Sequence, residues 1–469
     1  MEAKVLGDKH FVTKQGVYLF NGDQIDVPDL RPFYIEQDNW VNHYESNYDI
    51  YAGQHAILRE AVDPDSWRPD NRLVSNWGAY VVDTYSGYFM GRKPTISLDE
   101  TTTNDRLQDW LNESDLLDIL AECSKQISIY GRSYLLGFQD EKSRTNTISI
   151  EPTNGFMIYS TSVKTNPIGF VRYNIYNNKR IGELYTSREV IEFEDDRITD
   201  RHNHLFGEVP AVELYANIER LSLIDKIKSL VETYDKVLSQ KANQNEYFDN
   251  ALLKILGIPF EHDENGQPII DLKNRVLVAE DPDSKDGVVD FVSKPDNDGT
   301  QENLLNRIKD DIFQTAMVAN LNDKAFSGNS SGVAIKYKLL PMQNQALNEE
   351  RKFTIALREF LSTLLSLGQI IGTADKDSLM RDLTFKFYRN VPEDLANEAT
   401  TAQKLDGIVS QETQLSTLSF VDDPKTEIQR MKDEGIDKAL TAVKTSASAT
   451  DLITNQSGGL NGQEDKPAN

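Results

Sequence analysis

One cysteine and the lack of any long apolar run already exclude several classes of protein. With Cys123 alone, the chain can form neither an internal disulfide framework nor a cysteine-based zinc site. Cys123 lies in an apolar run over residues 116–123, so we expect a buried thiol. The nearest approach to a membrane span, residues 360–371, is short and is interrupted by Ser, Thr, Gly and Gln. We therefore expect no membrane partner.

Positive charge is also scarce. The 469 residues include 50 Lys and Arg against 75 Asp and Glu, which gives a net charge of −25. This balance excludes a typical sequence-reading DNA-binding protein, but it allows a protein past which DNA slides. The apolar fraction of 39% and the mean hydropathy of −0.52 indicate that part of the chain is extended, polar or dependent on assembly. The length predicts about three domains.

Motifs of catalytic and metal sites are absent or fit poorly. No P-loop sequence occurs. Residues 328–332 match G-x-S-x-G, but no histidine follows them in the chain, so the match is attributed to chance. The acidic residues 281–286 lack the glycine and the final glutamate of a calcium loop. His202 and His204 lie beside Asp200 without a second pair of ligands nearby, which predicts a polar loop. We predict no catalytic residue, no metal site and no cofactor.

Hydrophobic periodicity predicts an α+β protein that is mainly helical. In its first 217 residues, helices are predicted over residues 39–59, 73–90 and 104–130, and strands over residues 133–138, 147–151, 156–160, 168–176, 181–185 and 189–194.

A long and mainly helical segment follows, over residues 218–368. A helix over 218–256 carries a seam with coiled-coil-like spacing. The seam residues are Ile224, Ile227, Val231, Tyr234 and Leu238. Short strands over 275–279 and 287–292 precede a helix over 301–320, a Gly/Ser-rich loop and a helix over 333–368. Pro341 should kink or restart that last helix. A strand is predicted over 383–388, broken helix over 392–441 and disorder from 444 onward.

Such a helical segment has little apolar core of its own, and it has two explanations. It suits a closed ring in which neighbouring copies supply the missing apolar contacts. It also suits an ordinary helical hairpin inside a monomer, and periodicity alone does not decide between them.

Several segments resemble the portal proteins of long-tailed double-stranded DNA bacteriophages, the siphophage portal family. The segment Phe326 to Leu340 resembles the signature of that family, and residues 349–353 follow at the family's distance. Residues 51–58, 69–76, 87–94, 407–413 and 422–427 also fit. Their order, over roughly residues 40–440, is that of the family. Pro341 is a departure, since it stands where the family's helix continues.

The resemblance implies a division of the chain into wing, stem, clip, tunnel loop and crown. The implied parts are a wing (1–217), stem helix 1 (218–256), a clip (257–300), stem helix 2 (301–319), a tunnel loop (320–332), a long helix and strand returning to the wing (333–390), a crown (391–445) and a disordered tail (446–469).

The resemblance also implies a function without catalysis. A dodecameric ring would sit at one capsid vertex, with 13 copies in some rings formed outside the virus. Its channel would pass double-stranded DNA without sequence specificity during packaging and ejection. Implied partners are the terminase large subunit, scaffolding and major capsid proteins, and head-completion or adaptor proteins, with assembly in the host cytoplasm. Two alternatives stay open: a non-viral monomeric helical scaffold or adaptor, and a metal-dependent nuclease.

The implied functional residues fall in two places. The tunnel loop and its flanks comprise Asn320, Asn322, Asp323, Lys324, Ser327, Gly328, Asn329, Ser330, Ser331, Gly332, Lys336 and Lys338. The clip residues expected to face terminase are Asp281, Asp283, Lys285 and Asp286. We expect at least one of the three lysines to meet DNA phosphates, with salt bridges between neighbouring subunits as an equally good explanation of these lysines.

Overall fold

The computed structural model describes residues 3–61, 69–249, 253–256, 288–291, 298–322, 332–365, 367–372, 380–391, 395–418, 420–421 and 424–435. The chain divides into two compact units, residues 1–390 and 391–469, which we describe separately. Helix and sheet are both abundant, in agreement with the predicted α+β class. Among the described residues, no helix is long and apolar enough to cross a membrane.

The described strands of the first unit form one large sheet and three small ones. They are β1 (Ala3–Gly7), β2 (His10–Thr13), β3 (Tyr18–Phe20), β4 (Thr95–Ser97), β5 (Arg132–Gln139), β6 (Thr145–Ile150), β7 (Gly155–Ser160), β8 (Pro167–Tyr176), β9 (Lys179–Tyr185), β10 (Glu189–Glu194), β11 (Arg197–Asn203), β12 (Ala211–Tyr215), β13 (Leu253–Leu256), β14 (Val288–Phe291) and β15 (Thr384–Lys386).

The large sheet has the order β1-β2-β3-β7-β8-β9-β10-β11. Its strands pair antiparallel except for β3 and β7, which pair parallel. The smaller sheets are β12-β5-β6, β13-β14 and β15-β4. The last of these joins strands almost 290 residues apart, since Thr384 pairs with Ser97.

Seven helices of the first unit are described from end to end, and residues 380–382 are also helical. They are α1 (Arg31–Ala52), α2 (Trp77–Met90), α3 (Thr101–Glu113), α4 (Leu116–Tyr130), α5 (Leu223–Asp249), α6 (Asp298–Ala316) and α7 (Gly332–Leu365). In the second unit, α8 (Leu395–Leu405) and α9 (Gln411–Leu415) are linked by the Gln414 side chain, which donates to the Ala402 carbonyl at 2.9 Å. Residues 424–435 are also helical.

The N-terminal core lies between α1 and one face of the large sheet. Phe33 and Tyr34, from the first turn of α1, pack against Phe156, and Tyr34 also meets Tyr173 edge to face at 5.8 Å. Both helix residues are at most 5% exposed. Burial of an aromatic side chain contributes about 1.5–3 kcal/mol, so both side chains stabilise the contact between α1 and the sheet.

The sequence predicts β5 to β10 to within a few residues, but other expectations about helices and strands are wrong. Residues 104–130 form two helices, because Asp115 adopts a left-handed conformation (φ 52°) that ends regular helix. Residues 253–256 belong to strand β13, so the helix that starts at Leu223 ends at Asp249. Asp200 and His202 lie in strand β11, whereas a polar loop was expected there. The predicted strand over 275–279 lies outside the described residues.

Candidate functional site

Helices α5 and α6 form an antiparallel pair that leads away from the N-terminal part of the chain. Lys241 of α5 binds Glu302 of α6 at 2.7 Å near one end of the pair. Further along the pair, Tyr234 in the middle of α5 and Phe313 near the end of α6 both contact the Trp77 ring, at 5.8 and 5.6 Å. The sheet β13-β14 follows α5 and precedes α6 along the chain. The chain therefore leaves along one helix and returns along the other.

The buried face of α5 is only partly apolar. Ile224, Ile227 and Val231 are fully buried, as the seam predicts. The next buried positions are Asp235 and Ser239, each below 4% exposed, where the sequence predicts Tyr234 and Leu238. Their spacing of four residues continues the same face of the helix. Sequence periodicity misses them because polar residues do not score as core.

These polar residues hold an extended segment of backbone. The Ser75 amide donates to Asp235 Oδ1 at 2.9 Å, and the Leu73 amide donates to Ser239 Oγ at 2.9 Å. One turn further on, the Asn71 amide donates to the Asn243 side chain at 2.5 Å. Residues 71–75 thus run beside α5, with alternate amides bound by side chains at every fourth helical position. This ladder fixes α5 to the start of α2.

His55 closes the ladder. Its Nδ1 lies against Asp235 Oδ2, and its Nε2 lies 3.0 Å from the Ile50 carbonyl at the end of α1. Since both ring nitrogens face acceptors, the geometry favours a doubly protonated ring that donates from both nitrogens. Burial alone would lower the pKa of His55, but the hydrogen bonds to Asp235 and Ile50 outweigh it and raise that pKa. A buried ion pair therefore joins α1 to α5.

A second buried carboxyl lies where α7 crosses α2, α4 and α5. Glu349 is fully buried and accepts from the Tyr85 hydroxyl at 2.8 Å and from Ser124 Oγ at 3.2 Å. Burial raises the pKa of Glu349 to about 7, while the hydroxyl donors and the more distant Arg389 and Lys226 oppose the rise. The carboxyl lines a cavity of about 170 Å³, which Lys226 also lines. This junction therefore holds a carboxyl that is easily neutralised.

The connection from α6 to α7 contains the predicted tunnel loop. Helix α6 ends at Ala316, and Met317 follows in the left-handed conformation (φ 57°), a common helix ending. Asn320 is half-buried and its side chain accepts from the Asn322 amide at 3.2 Å. Asn322 is exposed and its side-chain amide lies 3.5 Å from the Tyr80 hydroxyl. The start of the connection is thus held against α2.

On the other side of the connection, α7 begins at Gly332. Lys336 is exposed and Lys338 is half-buried, both within the first two turns. The helix continues through Pro341, so of the two effects expected of this proline, a kink or a restart, the restart does not occur. The proline lacks an N–H, which leaves the Tyr337 carbonyl without its helical donor at an exposed position.

The remaining predicted site residues lie outside the described residues. These are Asp323, Lys324, Ser327, Gly328, Asn329, Ser330 and Ser331 of the loop, and Asp281, Asp283, Lys285 and Asp286 of the clip.

The second half of α7 returns into the fold. Phe353, Leu357, Phe360, Leu361 and Leu364 are all fully buried. The helix packs against β12 and β5. The chain then continues to β15, which pairs with β4. The exposed start of α7 is therefore rigidly connected to the N-terminal core.

One family model and two known proteins are similar to this chain. The family model described as "Phage portal protein, SPP1 Gp6-like" matches residues 33–439. The portal protein of Bacillus phage SPP1 is 22% identical over 429 residues, which cover 86% of this chain and 82% of that protein. The portal protein of Clostridium phage phiCD119 is 22% identical over 410 residues, covering 80% of this chain and 88% of that protein. The match spans α1 to α9 and includes the α5–α6 pair and the start of α7.

Proposed function

The chain belongs to the SPP1 Gp6-like family of phage portal proteins, and on that premise we propose that it forms a dodecameric ring around an axial DNA channel. Membership implies a component of the capsid portal with a role in DNA packaging. The ring would stand at one vertex, pass double-stranded DNA in both packaging and ejection, and carry out no catalysis. Its partners would be the terminase large subunit, scaffolding and major capsid proteins, and head-completion proteins.

The observation that carries this proposal is the family match across 407 of the 469 residues, positions 33 to 439. The α5–α6 pair supports it, because an antiparallel pair leading to a small sheet suits the implied stem and clip. The implied wing, stem, clip, tunnel loop and crown remain proposals, with the two stem helices taken as α5 (Leu223–Asp249) and α6 (Asp298–Ala316).

Charge supports a sliding channel. Helix α6 carries four acidic and two basic residues. Asp310 of this helix is exposed. An acidic surface repels the phosphate backbone, so DNA would move past it without being held. Lys336 is then the described lysine best placed to meet phosphates beside the loop, because it is exposed in the first turns of α7.

Assembly is the first test. Negative-stain electron microscopy and native mass spectrometry of the purified chain should show rings of 12 or 13 copies around a channel wide enough for duplex DNA. A monomer in low and moderate salt that stays monomeric with scaffolding protein and capsid extract would refute the ring and favour a monomeric scaffold.

The loop assignment needs a separate test. Lys336→Ala tests it, and Lys9→Ala is the control, since Lys9 is an exposed lysine in the β1–β2 turn. We expect Lys336→Ala to form normal rings but to change the rate and salt dependence of DNA packaging, with Lys9→Ala unchanged. Equal packaging by both variants would contradict a phosphate contact at Lys336.

A further inference from the structure

The large sheet has a second face, opposite α1, on which charged residues stand in register across four strands. Arg172 of β8 pairs with Glu183 of β9, Glu183 pairs with Glu192 of β10, and Glu192 pairs with Asp200 of β11. Three carboxylates therefore stand side by side. Like charges directly opposite each other destabilise an antiparallel pair, so this row needs a positive charge.

Of these three carboxylates, only that of Glu183 is paired with an arginine. Arg172 donates to both oxygens of Glu183, at 3.1 and 2.9 Å. Within the described part of the chain, no lysine or arginine forms an ion pair with Glu192 or Asp200. The nearest basic side chain is that of His202, whose Nδ1 lies 3.9 Å from Asp200 Oδ2.

Strand pairing brings Glu192, Asp200 and His202 close together. A bulge in β11 places Thr199 as an extra residue, because Phe193 pairs with Ile198 while Glu192 pairs with Asp200. Beyond it, Asp200 and His202 are two residues apart and share a face of the strand. One ligand atom from each of Glu192, Asp200 and His202 lies within 4.8 Å of the other two. All three side chains are exposed.

We propose that Glu192, Asp200 and His202 bind a divalent transition-metal ion of the zinc type. An imidazole nitrogen with two carboxylate oxygens is a ligand set that such ions accept, whereas Mg²⁺ and Ca²⁺ prefer oxygen alone. Tetrahedral bonds of about 2.0–2.1 Å place ligand atoms about 3.3 Å apart. Exposed side chains on adjacent strands can close to that separation from the present one by rotamer adjustment.

The neighbouring cavity leaves room for a further ligand. A cavity of about 430 Å³ is lined by Glu192 and His202, and also by Arg172 and Tyr185. Three protein ligands leave a coordination position for water or a small anion on this side. The ion would neutralise Glu192 and Asp200 and would tie the edge strand β11 to β10. This inference does not depend on the proposed channel.

The test is zinc binding to the full chain after removal of metal with EDTA. Isothermal titration with ZnCl₂ should give one ion per chain. His202→Ala and Glu192→Gln should each weaken binding by at least about tenfold, the loss typical of altered metal sites. His43→Ala is the matched control, because His43 is also partly exposed but faces a single carboxylate, that of Asp225, at 2.9 Å.

Two further measurements distinguish a specific metal site from nonspecific attraction of cations to an acidic protein. Co²⁺ should give a visible absorption band in the original chain and in His43→Ala, but not in His202→Ala. Zinc should also slow amide exchange in β11. Absence of saturable binding, or equal binding by the original chain and both ligand variants, would overturn the proposal.

Discussion

Neutralising Glu349 permanently should stabilise the protein, and the gain should depend on pH. In Glu349→Gln the amide keeps the shape of the side chain. Its oxygen can accept from Tyr85 and its NH₂ can donate to Ser124, the two groups that now hold the carboxyl at 2.8 and 3.2 Å. The variant therefore removes the charge and keeps the contacts.

The size of the effect follows from the raised pKa of the Glu349 carboxyl. That pKa rises from 4.5 to about 7 on folding. Between these values the folded chain binds more protons than the unfolded chain, so stability is full below pH 4.5 and is lost as pH rises through 7. At about 1.36 kcal/mol per pKa unit, the free energy of unfolding is lower than at acid pH by about 3 kcal/mol at pH 8 and by about 1 kcal/mol at pH 5.

Urea unfolding followed by tryptophan fluorescence measures this directly. We expect Glu349→Gln to raise the free energy of unfolding by about 3 kcal/mol at pH 8 and by about 1 kcal/mol or less at pH 5. Glu45→Gln is the control, since Glu45 is an exposed glutamate on α1. A gain of equal size at both pH values, or a loss at pH 8, would show that the folded chain does not favour a neutral carboxyl.

Two other variants test the helical junctions. His55→Gln leaves Asp235 buried without its cation, so we expect a loss of about 3 kcal/mol in urea unfolding at pH 6. The loss should shrink at higher pH, because the raised pKa of His55 means that its stabilising charge disappears as pH rises through the folded value; a loss that is the same at pH 6 and pH 9 would contradict the imidazolium. Pro341→Ala restores a helical donor and should stabilise the start of α7 by up to about 3 kcal/mol, measured as slower amide exchange over residues 335–345. Unchanged amide exchange over these residues would show that the missing N–H of Pro341 does not destabilise the helix.

Local pattern predicts elements best where each segment has one clear environment. Strands β8, β9 and β10 alternate between the α1 side and the opposite face, and their limits are predicted to within two residues. The single predicted helix over 104–130 fails because one residue, Asp115, takes a left-handed conformation that periodicity does not report. The predicted helix to residue 256 fails because β13 is specified by its partner β14, about 35 residues away.

Buried polar residues are the part of the site that sequence pattern misses. Asp235 and Glu349 look like ordinary charged residues on helices. Their burial depends on donors from other elements: the His55 ring and the Ser75 amide for Asp235, and the Tyr85 hydroxyl for Glu349. The separation along the chain reaches 264 residues for the last pair.

The sequence by itself determined the mixed helical and sheet class, the apolar start of the α5 seam and the resemblance to phage portal proteins. These depend on local periodicity and on the order of short segments, which folding does not alter. Tertiary structure alone decided that β3 pairs with β7, that Asp235 and Glu349 are buried, and that Glu192 meets His202. Each of these needs residues distant in the chain to meet, and hydrogen bonding and charge then decide which polar groups can be buried.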